Sequence, residues 1–142
     1  MIKNFCLISK FEGNKNLNPS STNSISKLLF NNKESFVIGI IGKPGSGKSV
    51  LIQELLLNEE LLKGVFEYVL IFSPSKFDYI ETIENENWFK FFSLEILYQT
   101  IDKLNLIIEK EKQKVKVLYI FDDFITAIKS CKNSPELLKF FY

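Results

Sequence analysis

The sequence predicts an α/β fold with a mainly parallel sheet, and three observations indicate it. Three runs rich in β-branched and aromatic residues have the length of buried strands, at Phe36–Ile41, Glu67–Phe72 and Val115–Phe121. The runs are largely apolar on both faces, which is typical of parallel strands that helices cover on both sides. Apolar residues recur at helical spacing between the runs. The order strand, helix, strand, helix, strand is typical of parallel strands joined by helical crossovers.

Length and composition restrict the class of protein. The 142 residues suit one domain, and 46% apolar with 25% charged residues is enough for a folded core. No apolar stretch approaches the ~20 residues that span a membrane, and the polar ends of residues 1–8 do not suit a signal peptide. We therefore expect neither a membrane protein nor a secreted one, with Cys6 and Cys131 as reduced thiols.

The basic residues are also informative. All 18 are lysines, and the chain contains no arginine and no histidine. Metal centres built on imidazole, Ser-His-Asp triads and arginine clamps on phosphate are therefore excluded within this chain. The net charge of +1 neither indicates nor excludes a nucleic-acid ligand.

The chain divides into a polar lead-in at residues 1–35 and a core at residues 36–142. The lead-in is rich in asparagine and serine and has few groups to bury. We expect it to contain only a short strand at Phe5–Ser9 and a helical turn at Ile25–Phe30.

Two helices are predicted in the core. The first follows the segment Gly42–Ser49, buries Val50, Leu51, Leu55 and Leu56, and ends near Gly64. The second begins after Ser93, which suits an N-cap, and carries its apolar face on Leu94, Leu97, Ile101, Leu104 and Ile108. The charged run Glu109–Lys114 is interpreted as its solvated end. The segment Asp78–Phe92 is ambiguous, and its aromatic residues are expected to pack against the sheet or a neighbouring subunit.

A complete P-loop pattern, GxxxxGKS, follows the first predicted strand. Its members are Gly42, Lys43, Pro44, Gly45, Ser46, Gly47, Lys48 and Ser49. The glycines allow the loop to direct backbone N–H groups at phosphates, and the helix that follows adds the positive end of its dipole. We expect Lys48 to reach the outer phosphates of ATP and the Ser49 hydroxyl to bind Mg²⁺.

The third predicted strand ends in two carboxylates, Asp122 and Asp123. Adjacent like charges repel each other, so their presence at the end of a buried strand indicates a role. We interpret them as a Walker B motif, in which Asp122 binds Mg²⁺ with its water molecules and Asp123 polarises the attacking water. Lys48 and Asp123 are the expected catalytic residues.

Three segments resemble viral DNA-packaging ATPases of the poxvirus, giant-virus and virophage type, in the FtsK–HerA superfamily. They are Ile38–Ser49, Ile71–Ser75 and Ile120–Phe124, and the resemblance extends over residues 36–142. It implies a P-loop NTPase of the additional-strand class, a three-layer sandwich that binds ATP and Mg²⁺. It also implies a homo-oligomeric ring that translocates double-stranded DNA into a capsid. The implied location is the virion or the host cytoplasm, or the cytoplasm for a non-viral chain.

The end of the sequence departs from that family. Such ATPases have a further strand with a polar sensor between the P-loop strand and the Walker B strand, preceded by an arginine-bearing segment. Here Ser134-Pro135-Glu136 suits the start of another helix, and the sequence stops at Tyr142. We therefore expect the N-terminal part of an ATPase core, shortened at its C-terminus.

Two other functions stay open. One is a nucleotide or small-molecule kinase, although such enzymes usually neutralise two phosphorylated ligands with arginines. The other is a remnant that binds nucleotide, or a partner subunit, without hydrolysis. Phosphoryl transfer to a small molecule would identify the kinase, and DNA-stimulated hydrolysis would identify the motor.

Overall fold

A computed structural model describes residues 40–75 and 87–124. Two helices and three strands form this part of the chain. In chain order they are α1 at Lys48–Leu57, β1 at Tyr68–Phe72, β2 at Trp88–Phe89, α2 at Leu94–Glu111 and β3 at Val117–Phe121. The predicted α/β class is confirmed, and the second and third predicted strands are present with slightly later starts.

The three strands form one parallel sheet in the order β2-β1-β3. Along β1 and β3, Tyr68 pairs with Val117, and the register continues to Phe72 opposite Phe121. β2 adds a short pairing on the other side, with Ile71 opposite Trp88. Because the strands are parallel, their carboxyl ends lie at one edge, where ligands bind in open α/β sheets.

The sheet lies between the two helices, and β1 is buried on both faces. Val69 and Ile71 pack with Leu56 of α1 on one side. Tyr68, Leu70 and Phe72 face the other side, where the core residues of α2 are Leu97 and Leu104. This alternation follows from the two-residue period of a strand. The three-layer arrangement that the resemblance implies is therefore present in the described part of the chain.

Local sequence explains both ends of α2. The hydroxyl of Ser93 accepts the backbone N–H of Ile96 at 3.2 Å, which is the N-cap that the sequence predicts. Lys112 adopts left-handed φ of 53° and donates its backbone N–H to Ile108 at 2.9 Å, so the helix stops there. The charged residues 109–114 are exposed, as expected for a solvated end.

The helix α1 differs from the prediction in its buried face and in its end. Val50 and Leu51 are 67% and 47% exposed, whereas Ile52, Leu55 and Leu56 pack on the sheet. The helix ends at Asn58 rather than near Gly64. The Asn58 side chain bonds to Glu54 and accepts the backbone N–H of Glu60, and these local bonds compete with further helix. Gly64, with φ of 77°, belongs to the turns that follow.

The end of the first predicted strand also differs. Ile40 and Ile41, the two described residues of this segment, are not in a strand, and Ile41 is 99% exposed. Among the described strands, β1 is the central one. A parallel strand needs a hydrogen-bonded neighbour and covering helices. None of the strands described here pairs with residues 40–41, which agrees with the exposure of the Ile41 side chain.

The aromatic segment before α2 packs largely against the sheet, as one of the two interpretations expected. Trp88 and Phe89 form β2, and Phe92 lies edge-on to Phe72 with ring centroids 5.8 Å apart. Phe91 is 69% exposed and does not take part in that packing.

Several predictions fall on residues outside the described ranges. They concern the lead-in at 1–35 with Phe5–Ser9 and Ile25–Phe30, the segments Phe36–Gly39 and Asp78–Glu86, Cys6 and Cys131, and the helix that begins at Ser134.

Candidate nucleotide site

The P-loop segment forms an exposed turn that leads directly into α1. Residues 42–47 are exposed, and Lys48 and Ser49 are half-buried in the first helical turn. Gly45 and Gly47 have φ of 76° and 84°, in the left-handed region that only glycine enters readily. The backbone N–H of Ser46 donates to Lys43 at 3.1 Å and closes the turn between them. The sequence requirement for glycine at these two positions is therefore conformational.

The N-terminus of α1 has no side-chain cap. Gly47 occupies the N-cap position, and the first helical hydrogen bond runs from the N–H of Leu51 to the carbonyl of Gly47 at 2.9 Å. The N–H groups of the first turn therefore have no partner within the helix. Together with the helix dipole, such groups favour an anion.

The Lys48 side chain lies over the loop. Its ammonium nitrogen donates to the carbonyl oxygens of Gly42 at 2.9 Å and Lys43 at 3.0 Å. The same residue begins α1, so its positive charge lies beside the uncapped helix end. Gly42 also belongs to this close arrangement, because a Cβ atom added there would lie 2.5 Å from the Ser46 hydroxyl.

The two aspartates follow β3 at the carboxyl edge of the sheet. The backbone N–H of Asp122 donates to the carbonyl of Phe72 at 2.9 Å, which ties it to the end of β1. Asp122 is half-buried, whereas Asp123 is exposed and has φ of 58°. Aspartate is among the few residues that enter this left-handed region, and such conformations are enriched at functional sites.

The turn after β1 is held by residues of β2. Ser73, only 1% exposed, donates its N–H to Phe89 at 3.1 Å, and its carbonyl accepts the indole N–H of Trp88 at 3.0 Å. The Ser73 hydroxyl donates to the carbonyl of Ser75 at 2.8 Å. The segment Ile71–Ser75 is one of the three that carry the resemblance, but the sequence does not predict its contact with Trp88. The single tryptophan of the chain was the available signal.

The predicted loop and the two predicted aspartates lie on separate elements of the fold. α1 leads into the amino end of β1, so its first turn points toward the opposite, carboxyl edge, where Asp122 and Asp123 lie. In residues 40–75 and 87–124, Lys48 forms no ion pair with either aspartate and bonds to its own loop instead.

The residues present fit ATP and Mg²⁺. The loop offers backbone donors and a lysine for phosphates, and the Ser49 hydroxyl and Asp122 carboxylate are oxygen donors of the kind Mg²⁺ prefers. Mg²⁺ is usually bound by one or two carboxylates together with substrate phosphates. No group of three or more acidic or cysteine side chains within the described ranges could hold a metal by itself. A site shared with the nucleotide therefore suits this donor set.

Two further observations concern regions away from this site. Burial, with smaller contributions from Glu111 and Glu67, raises the pKa of the Tyr68 hydroxyl above its ordinary value. Tyr68 lies at the amino end of β1, opposite the candidate site. Among the described residues, no helix is long and apolar enough to cross a membrane.

Comparison with known proteins identifies the family. A sequence model of the NB-ARC domain matches residues 18–132, which is most of the chain. No curated protein and no solved structure matches significantly. The match supports the P-loop ATPase part of the resemblance described above, but it gives no support for a DNA-packaging ATPase of the FtsK–HerA type. The chain belongs to the NB-ARC domain family and has the nucleotide-binding P-loop NTPase fold.

Proposed function

We propose that this domain is an ATPase that binds ATP with Mg²⁺ at the loop Gly42–Ser49. The observation that carries the proposal is the uncapped N-terminus of α1, preceded by two left-handed glycines and covered by the Lys48 ammonium group. Unpaired N–H groups, a helix dipole and a cation at one place favour a polyanion such as the phosphates of a nucleotide.

Each residue has a distinct role in this proposal. The loop backbone from Gly42 to Gly47 holds the phosphates, and Lys48 compensates their outer negative charge. Ser49 and Asp122 supply oxygen ligands for Mg²⁺, which when bound neutralises phosphate charge. Asp123 orients the attacking water and accepts its proton. Its exposed position and left-handed backbone at the end of β3 support a role in contact with a ligand.

The finer function is coupling of hydrolysis to movement of double-stranded DNA by a homo-oligomeric ring. It is supported only by the sequence segments that resemble packaging ATPases. Members of the matched family often oligomerise, so self-association without DNA is an equally direct extension of the ATPase proposal. Nucleotide binding without hydrolysis is the other alternative, favoured by the lack of any arginine in the sequence.

Calorimetric titration with ATP, in Mg²⁺ and in EDTA, tests the proposal. Lys48→Ala removes charge-assisted hydrogen bonds and is expected to weaken ATP binding about ten- to hundredfold. Lys110→Ala is the matched control, because it removes the same charge from an exposed position at the end of α2. Equal affinities of the wild type and Lys48→Ala would move the nucleotide to another site. A separate assay measures phosphate release with and without double-stranded DNA, and faster hydrolysis with DNA would support the translocase.

A further inference from the structure

One peptide group connects all three strands at the carboxyl edge. It joins Phe72 and Ser73 and lies at the end of β1. Its carbonyl accepts the N–H of Asp122 at 2.9 Å, and its N–H donates to the carbonyl of Phe89 at 3.1 Å. Hydrogen bonds to β2 and to Asp122 therefore fix the orientation of this peptide, and the position of the Asp122 backbone depends on that orientation.

The next peptide along the chain is held by a side chain of β2. The Trp88 indole N–H donates to the Ser73 carbonyl at 3.0 Å, in a partly buried position. Ser73 itself is 1% exposed, so water has little access to substitute for this donor. The two peptides that follow Phe72 are thus both fixed by residues of β2.

β2 is short, which makes the indole contact important. The strand contains only Trp88 and Phe89, and two register pairs join it to β1. So short a pairing is weak by itself, since a strand is stabilised by its cross-strand contacts. The stacking of Phe89 on Phe72, with centroids 4.8 Å apart, adds packing but no direction to the backbone. Two directional contacts therefore run from β2 to this turn, namely the bond from the Ser73 N–H to the Phe89 carbonyl and the indole hydrogen bond, and only the second comes from a side chain.

We propose that Trp88 is a positioning residue for Asp122. Its indole holds the turn after β1, and this turn orients the Phe72–Ser73 peptide that binds the N–H of Asp122. The proposal rests on the proposed function, because Asp122 is there a ligand of Mg²⁺. Trp88 does not touch the nucleotide in this account, and its effect is confined to the contribution of Mg²⁺ to binding.

The decisive variant removes the indole N–H without changing the packing. Trp88 is the only tryptophan, so a tryptophan-requiring host can replace it uniformly with the isostere in which sulfur takes the place of the N–H group. We expect the gain in ATP affinity from Mg²⁺ to fall about three- to tenfold, the range for one hydrogen bond. ATP affinity in EDTA should not change, because the loop that binds the phosphates precedes α1 and has no part in the turn that Trp88 holds. A merely structural role would lower both affinities together.

Asp122→Asn supplies the matched background. If Trp88 acts through Asp122, the isostere should cause no further loss of the Mg²⁺-dependent gain in this variant. An equal loss in both backgrounds, or no loss in the wild-type background, would overturn the proposal. A wild type that binds ATP but gains nothing from Mg²⁺ would overturn the magnesium site as well, and the two failures are thereby distinguished.

A second measurement needs no altered chain. The fluorescence of Trp88 in the wild-type protein should change when Mg²⁺ is added to the ATP-bound form, because the indole is connected to Asp122 through the turn. The ATP-bound form in Mg²⁺-free buffer of the same ionic strength is the reference. Unchanged emission at saturating Mg²⁺ would overturn the proposal even where the isostere fails to fold.

Discussion

The ammonium nitrogen of Lys48 lies 2.9 Å from the carbonyl oxygen of Gly42, six residues earlier in the chain. A second bond, to Lys43 at 3.0 Å, holds the same group. Ordering a free lysine side chain costs up to about 2 kcal/mol. Here the two hydrogen bonds to the loop offset this loss of side-chain entropy. The ammonium group is therefore already ordered beside the loop before a phosphate binds.

The left-handed glycine at the start of α1 leads to the first prediction. Gly47→Ala should lower the free energy of unfolding by about 1–2 kcal/mol and weaken ATP binding, because alanine disfavours φ of 84°. Space does not limit the substitution, since nothing lies within 4 Å of the added Cβ. Thermal denaturation and calorimetry measure the two effects.

Gly64→Ala is the control for that prediction. Gly64 has φ of 77° and lies in the turns after α1, outside the loop. It should lower stability by a similar amount and leave ATP affinity unchanged. A loss of affinity in both variants would mean that general destabilisation, not loop geometry, weakens binding.

Gly42 is restricted by space instead. In Gly42→Ala the new Cβ would lie 2.5 Å from the Ser46 hydroxyl oxygen, so this hydroxyl must rotate away or the loop must shift, and ATP affinity should fall. Adding Ser46→Ala removes that oxygen and leaves the next nearest atom, the Cβ of residue 46, at 3.4 Å. The double variant should recover most of the affinity. Titration of Gly42→Ala, Ser46→Ala and the double variant with ATP tests this, and a double variant no better than Gly42→Ala would contradict the steric account.

The two carboxylates should separate binding from chemistry. Asp123→Asn is expected to bind ATP normally and to lose about 10²- to 10⁴-fold in hydrolysis, since an amide cannot accept a proton from water. Asparagine also tolerates left-handed φ, so the backbone should be preserved. Asp122→Asn should weaken the Mg²⁺-dependent part of binding. Single-turnover measurements with labelled ATP report the rates, and a wild-type rate in Asp123→Asn would assign the base to another residue.

Hydrolysis by the 142-residue chain should be slow, far below about 1 s⁻¹. An arginine that stabilises the transferring phosphoryl group contributes ~10³–10⁵ in rate, and the sequence has no arginine. Steady-state phosphate release with and without double-stranded DNA measures this, with Lys48→Ala as the background. DNA-stimulated turnover on the order of 1 s⁻¹ would contradict the prediction and favour a translocase.

A partly buried pair of hydroxyls connects α2 to β3. The hydroxyls of Thr100 and Tyr119 lie 3.0 Å apart, and Thr100 also bonds to the carbonyl of Leu97. Tyr119→Phe should lower the free energy of unfolding by about 0.5–1.5 kcal/mol. Tyr98→Phe is the control, because the buried Tyr98 hydroxyl has no hydrogen-bond partner within the described ranges, so its removal should cost nothing. Denaturant unfolding compares the two, and equal losses would reject the hydrogen bond as the cause.

The sequence pattern predicts those elements whose burial is evident from the order of their apolar and polar residues. β1 follows from an uninterrupted apolar run, and α2 follows from apolar residues at helical spacing. Ser93 marks the start of α2 because a capping side chain acts within one turn. The pattern of α1 is apolar on nearly every side, so periodicity could not select the face with Ile52 over the face with Val50. β2 has two residues, too few for any period.

The site divides in the same way. The loop spacing identifies Lys48 and Ser49, because backbone geometry in a P-loop requires glycine at set positions. A local motif could not predict the contact between Ser73 and Trp88, because these residues are 15 positions apart and meet only through the pairing of β1 with β2. The left-handed backbone of Asp123 likewise arises from the end of β3 and not from a local signal.

The central position of β1 also has a kinetic consequence. Its partner β3 lies far along the sequence, since the contact between Lys116 and Glu67 at the start of this pairing spans 49 residues. Such non-local pairings form slowly, whereas a helix such as α2 forms in about a microsecond or less. Until β3 pairs, the uninterrupted apolar strand Tyr68–Phe72 presents an open edge to other chains. Yield of native protein should therefore be limited by concentration during refolding and should rise when synthesis is slowed by low temperature.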